Sequence, residues 1–160
     1  MNRARGLCVA SAVLLVAFLP ALAGRASAAA SAWTLTCDVD ITGSGTAEAT
    51  ATWDWFEDER VIAGAGGTAS CGDTGVGERP ANANGLTVSL TAGACATAVF
   101  STDCVDHLKI MTKSFDPADS VSATVKASAS IGVYEEFCFF VFCFREHSKS
   151  SIQATFTMTS

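Results

Sequence analysis

From Val121 to Val133 every second residue is apolar, and the residues between are Ser, Thr, Lys or Gly. Successive side chains of a β-strand point to opposite faces, so a run this long fixes both the strand and the face it buries. The same alternation returns in Ile152, Ala154, Phe156 and Met158. One antiparallel register satisfies both runs. Placing Cys138 opposite Cys143 sets Ala129 against Ile152, Ala127 against Ala154, Val125 against Phe156 and Ala123 against Met158. The other face then matches Ser128 with Gln153, Lys126 with Thr155 and Thr124 with Thr157, and nearer the turn Glu136 with Arg145, Phe137 with Phe144 and Tyr134 with His147. Glu135 opposite Glu146 is its one unfavourable pair. The pattern predicts a long hairpin from Val121 to Thr159, closed by a Cys138–Cys143 disulfide around Phe139, Phe140, Val141 and Phe142. Along one continuous strand two cysteines at this odd spacing would face opposite ways, so only a hairpin brings them together.

The other cysteines fit the same compartment. The amino end carries Arg3 and Arg5, an apolar stretch from Leu7 to Leu19, then Pro20 and several small-x-small cleavage sites, of which the one after Ala28 is favoured. Residues 1–28 therefore read as a cleavable secretory signal and 29–160 as a single secreted domain. The apolar stretch is shorter than the ~20 residues that span a bilayer, which argues against an uncleaved anchor. Cleavage removes Cys8 and leaves Cys37, Cys71, Cys95, Cys104, Cys138 and Cys143, an even set in an oxidising compartment. With Cys138 and Cys143 joined, the simplest remaining pairs are Cys37–Cys71 and Cys95–Cys104. The spacings contain no close zinc-binding pair, and only His107 and His147 could assist. Cleavage also removes Arg3, Arg5 and Arg25, leaving seven basic residues against sixteen acidic ones, a net charge of −9. That balance disfavours nucleic acid and anionic lipid as partners.

Alternation also governs the earlier part of the chain. Trp33, Leu35, Cys37, Val39 and Ile41 share one face of a strand, and Ala47, Ala49, Ala51, Trp53 and Trp55 share one face of the next. Reading Gly43-Ser44-Gly45 as a hairpin loop pairs Ile41 with Ala47 and so on to Trp33 with Trp55, apolar with apolar throughout. Glu57 to Arg60 reads as an exposed turn, Val61 to Cys71 as a Gly- and Ala-rich strand, and Gly72 to Gly85 as the longest loop. Leu86, Val88 and Leu90 begin a strand expected to turn at Gly93 and pair with Ala96 to Phe100, and His107 to Phe115 forms another, closed by the turn at Asp116-Pro117. Short strands at this spacing predict an all-β fold, an antiparallel β-sandwich of immunoglobulin-like or jelly-roll-like kind with a long C-terminal hairpin and about three disulfides.

Two places could carry function. Phe139, Phe140, Val141 and Phe142 lie between charged flanks and, if exposed, form an apolar contact for a protein partner or a membrane surface. Burying three such rings contributes roughly 5 to 8 kcal/mol of transfer free energy. The alternative is a strand buried on both faces, or a loop folded over one end of the sandwich. The second place is acidic: the first hairpin would set Asp40 opposite Glu48 with Asp38 beside them, a repulsion that bound Ca²⁺ could relieve, although solvated acids on an exposed face account for them without any cofactor. Asp73-Thr74-Gly75 matches the tripeptide of aspartic proteases but occurs once and lacks the preceding apolar strand, so it reads as a loop. The leading expectation is a secreted interaction module presenting the Phe139–Phe142 tip. A secreted protease inhibitor offering that loop or Ala96 to Asp103, and a small hydrolase whose site is assembled from distant residues, are the alternatives.

Overall fold

The computed structural model describes residues 30–160. The expected signal segment, residues 1–28, lies outside them. Nine strands follow one another without an intervening helix among the described residues: β1 Ser31–Gly43, β2 Thr46–Glu57, β3 Arg60–Val61, β4 Gly67–Ser70, β5 Thr74–Arg79, β6 Gly85–Thr97, β7 Thr102–Ser114, β8 Ser122–Phe139 and β9 Phe142–Thr159. They form two antiparallel sheets packed as a sandwich. One has the order β5-β1-β9-β8, and the other β3-β2-β6-β7, with β4 also paired to β2.

The C-terminal hairpin has the register expected from its alternation, with Cys138 opposite Cys143, Ala129 opposite Ile152, Val125 opposite Phe156 and Ala123 opposite Met158. Its apolar face lines the core, where Val125, Ile152, Phe156 and Met158 are buried against Trp53, Trp55, Leu86, Val88 and Leu90 of the facing sheet. All three disulfides form as expected: Cys37–Cys71, Cys95–Cys104 and Cys138–Cys143. Cys95–Cys104 and Cys138–Cys143 each link directly opposed residues of neighbouring strands. Cys37–Cys71 instead ties β1 of one sheet to the chain leaving β4 of the other.

The first hairpin is not formed. β1 pairs with β5 and β9, and β2 with β3, β4 and β6, so the two lie in different sheets. Gly43-Ser44-Gly45 is a corner rather than a hairpin loop. Gly43 has φ 106°, and a Cβ there would strike the Lys149 carbonyl of β9. A Cβ on Gly45 would meet the Cys95 carbonyl and the Ser150 side chain, one from each sheet. Only glycine lets the backbone pass through so narrow a gap. The apolar faces of β1 and β2 do meet, but across the core: the Trp33 and Trp53 rings contact edge to face at 5.6 Å, and Trp53 stacks on Phe156 at 6.2 Å.

Three further expectations change. β6 runs straight through Gly93 to Thr97 and pairs along its whole length with β7, rather than folding back on Ala96 to Phe100. Gly93 is a strand residue set between Glu48 and Asp106 of the neighbouring strands. Val61 to Cys71 is split into the short β3 and β4, and the segment read as the longest loop contains β5. The Glu57–Arg60 turn is as expected, with Asp58 and Glu59 both at positive φ and Asn84 bonded to the Asp58 backbone and side chain.

The core is graded in size. Near Asp116-Pro117 it contains Trp55, Leu86, Val88, Phe115, Val121 and Met158, whereas the end near the β6–β7 turn is lined by Ala47, Ala49, Ala92, Ala94, Ala127 and Ala129. Small side chains let the layers approach closely there, and the buried Ser148 and Ser150 bridge to the β1–β2 corner through Ser44 Oγ and the Thr46 carbonyl. At the wide end Arg79 is buried and latches the β7–β8 connection. Its guanidinium donates to the Asp119 and Pro117 carbonyls and to Ser160 Oγ, and it lies 5.3 Å from the centre of the Phe115 ring.

Candidate functional site

β8 and β9 are longer than anything they pack against. The β1–β9 ladder stops at Gly43–Ser150, and the β6–β7 turn, residues 98–101, ends beside Glu135. The hairpin continues to Phe139–Phe142. At about 3.3 Å per residue, Phe140 stands roughly 16 Å beyond Glu135. Alternation does not stop where the sandwich does. The face that carries Ala129, Ile131 and Val133 inside the sandwich continues as Phe137 and Phe139, and the face carrying Ile152, Ser150 and Ser148 continues as Phe144 and Phe142. The core face is thus broken once, by Glu135 opposite Glu146 at the edge of the sandwich, and resumes in solvent.

The tip is exposed, neither buried on both faces as a strand nor folded over the end of the sandwich. Phe140 is 90% and Val141 87% exposed, and Phe137, Phe139, Phe142 and Phe144 lie between 46% and 68%. Phe100, at 73%, adds a sixth ring from the β6–β7 turn and packs at 5.7 Å from Phe137. Six of the chain's ten phenylalanines thus surround one projection. At about 200 Å² for a fully exposed ring, they present roughly 800 Å² of apolar surface. The largest apolar patch on an ordinary monomer is about 300–600 Å², and the summed area is larger than that.

Three local devices hold the tip. Cys138 and Cys143 are directly opposed with Cα atoms 4.0 Å apart and cross-link the strands just behind the turn. Glu135 accepts hydrogen bonds from the Phe100 amide, 3.1 Å, and the Ser101 hydroxyl, 2.5 Å, fastening the β6–β7 turn to the hairpin's base. Glu136 and Arg145 pair across the opposite face at 3.6 Å. Between the turn and the hairpin lies a cleft of about 400 Å³ lined by Val99, Phe100, Phe137, Phe144 and Glu146. The two-residue turn itself breaks a local rule. Phe140 has φ 54°, a conformation that favours glycine or asparagine and disfavours a bulky ring. Residues in such conformations cluster where function demands a particular side chain.

Of the residues singled out in the sequence, Phe139, Phe140, Val141 and Phe142 are brought together, and Phe100, Phe137, Phe144 and Val99 extend them. Phe137 and Phe144 could have been included, since they continue the core register. Phe100 gave no signal, because nothing local places the β6–β7 turn beside the hairpin. The acidic candidates are separated. Asp38 and Asp40 pair with Thr155 and Gln153 on the outer face of one sheet, and Glu48 with Gly93 on the outer face of the other, so Asp40 does not oppose Glu48. Without that repulsion the argument for Ca²⁺ there loses its basis. Glu136 lies within 4.8 Å of the Cys138 and Cys143 sulfurs, but both are consumed in a disulfide and cannot serve as thiolate ligands. A larger cleft, about 610 Å³, lies at the other end between Phe56, Asp58, Asn84, Phe115 and Asp116, where Asn84 and Asp58 are bonded to each other. Among the described residues neither His107 nor His147 makes a side-chain hydrogen bond, so no serine–histidine relay is formed. Compared with known proteins, the chain matches no family model, no curated protein and no solved structure.

Proposed function

We propose that this protein is a secreted interaction module whose disulfide-closed hairpin tip is the contact surface. The observation that carries the reading is the roughly 800 Å² of phenylalanine surface gathered on a projection that contributes nothing to the core. Three disulfides and the signal-like residues 1–28 support export, because such bridges persist in oxidising compartments. The Cys138–Cys143 bridge and the Glu135 contacts fix the strands before any partner arrives, which lowers the ordering cost of association. A protease inhibitor needs an extended, substrate-like segment, and a tight turn with Phe140 at positive φ does not supply one at the tip.

The test is Phe140→Ser with Phe142→Ser. The melting temperature of the double variant is expected to stay within a few degrees of the parent, because neither ring is buried. A photo-crosslinker at position 140 is expected to label material in the protein's native surroundings, and a cross-linker on the exposed Asp54 of β2 is expected not to. A sharp fall in melting temperature, or equal labelling from both positions, would refute the contact role.

A further inference from the structure

We infer that the tip seats in one leaflet of an electrically neutral, zwitterionic lipid surface, with the Glu136–Arg145 pair setting its depth. This rests on the tip being the contact surface and names what it contacts.

Shape is the first argument. The apex is apolar on every side: Phe140 and Val141 are almost fully exposed, and the Phe139 and Phe140 rings meet edge to face at 4.7 Å. No side chain from Phe139 to Phe142 offers a hydrogen bond. Lipid asks only for apolar surface, which is what the apex supplies.

Length is the second. Each strand contributes only four residues between the charged pair and the apex, Phe137 to Phe140 and Val141 to Phe144. A strand needs about 9–11 residues to cross a bilayer, so the tip can enter a leaflet and cannot span one. Glu136 and Arg145 are paired, exposed and flanked by Glu135 and Glu146, forming a charged collar that stays among the headgroups.

Charge is the third, and it selects the lipid. Around the collar Glu135, Glu136 and Glu146 outnumber Arg145, and residues 30–160 carry sixteen acids against seven bases. An anionic leaflet would repel this surface and a neutral one would not. A second copy is disfavoured by the same charges, since tip-to-tip pairing brings two acidic collars together.

The experiment uses the secreted, disulfide-intact protein with vesicles of phosphatidylcholine alone and of phosphatidylcholine mixed with phosphatidylserine, read by flotation. The parent is expected to float with phosphatidylcholine, more weakly with the mixture at low salt, and Phe140→Ser with Phe142→Ser to lose affinity by on the order of a hundredfold. Phe140→Trp is expected to bind as the parent does, with its fluorescence quenched by lipids brominated near the headgroup end of the acyl chain. Tighter binding to the anionic mixture, or floating that ignores the tip variants, overturns the inference. Failure to float, with position 140 cross-linking to a protein or to a second copy, overturns the lipid assignment and leaves the contact surface standing. Failure to float with no tip-dependent cross-link overturns both.

Discussion

At the scale of single residues, Phe140 and Arg79 show side chains chosen against local preference in opposite ways. Holding phenylalanine at φ 54° costs about 1–2 kcal/mol that glycine would avoid. Phe140→Gly is therefore expected to raise stability in urea by up to about 1 kcal/mol, after glycine's greater chain entropy is subtracted, while weakening the tip's association. Better folding with poorer binding is the signature of a residue kept for contact. Unchanged binding would assign the ring no role. Arg79 is the converse, a cation kept for structure. Among the described residues it has no carboxylate partner, and it satisfies two loop carbonyls and a hydroxyl from within the sandwich. Arg79→Met keeps the stem but leaves those carbonyls unpaired, an expected loss of about 2–4 kcal/mol in a urea titration. The position falls in the segment read from sequence as a loop, and its neighbours explain why. The core-facing residues of β5 before Arg79 are Gly75 and Gly77, over which the Leu35 and Trp33 side chains lie. With the space filled from β1, β5 shows no apolar alternation to read.

At the scale of elements, the two hairpins in the sequence reading met different fates for one physical reason. Alternation identifies a buried face, and in a sandwich a buried face has two kinds of apolar neighbour, beside it in its own sheet and opposite it across the core. For β8 and β9 a long run and a closing cysteine pair left one register. For β1 and β2 the apolar matching was equally satisfied by facing across the core, and the glycines of the corner imitate a hairpin loop. The tip residues were legible as a cluster, but their exposure depended on how far β6 and β7 extend alongside, which no local pattern states. The disulfides divide along the same lines. Cys37 and Cys71 are 34 residues apart and join the two sheets, whereas Cys138 and Cys143 are 5 apart on one hairpin. Loop-closure entropy then gives about 4 kcal/mol for the first and about 2 kcal/mol for the second as upper values. Replacing Cys37 and Cys71 with Ser is expected to lower the denaturation midpoint more than replacing Cys138 and Cys143. The second pair of substitutions is expected to show itself mainly as weaker tip association, because the ordering of Phe139–Phe142 would be deferred to binding.

Across the whole molecule, solubility rests on charge set against one apolar end. The surface excess of acid opposes the approach of a second copy's bare tip at neutral pH. At about 1 M salt the screening length falls to about 3 Å and that repulsion is largely lost. Self-association is expected to rise there by light scattering, and to be suppressed by Phe140→Ser with Phe142→Ser. An equal rise in parent and variant would place the sticky surface elsewhere.

The position of β9 in its sheet has a mechanical consequence. It is a central strand, flanked by β1 and β8, and it runs without a break into the tip. Tension applied at Phe140 along the hairpin would pass down β9 and reach the body as shear along the β1 ladder, from Gly43–Ser150 to Thr34–Thr159. Shear must break that ladder all at once, whereas peeling opens one bond at a time. A contact made at the tip is thus rooted in a central strand of its sheet, as a barb is set in its shaft.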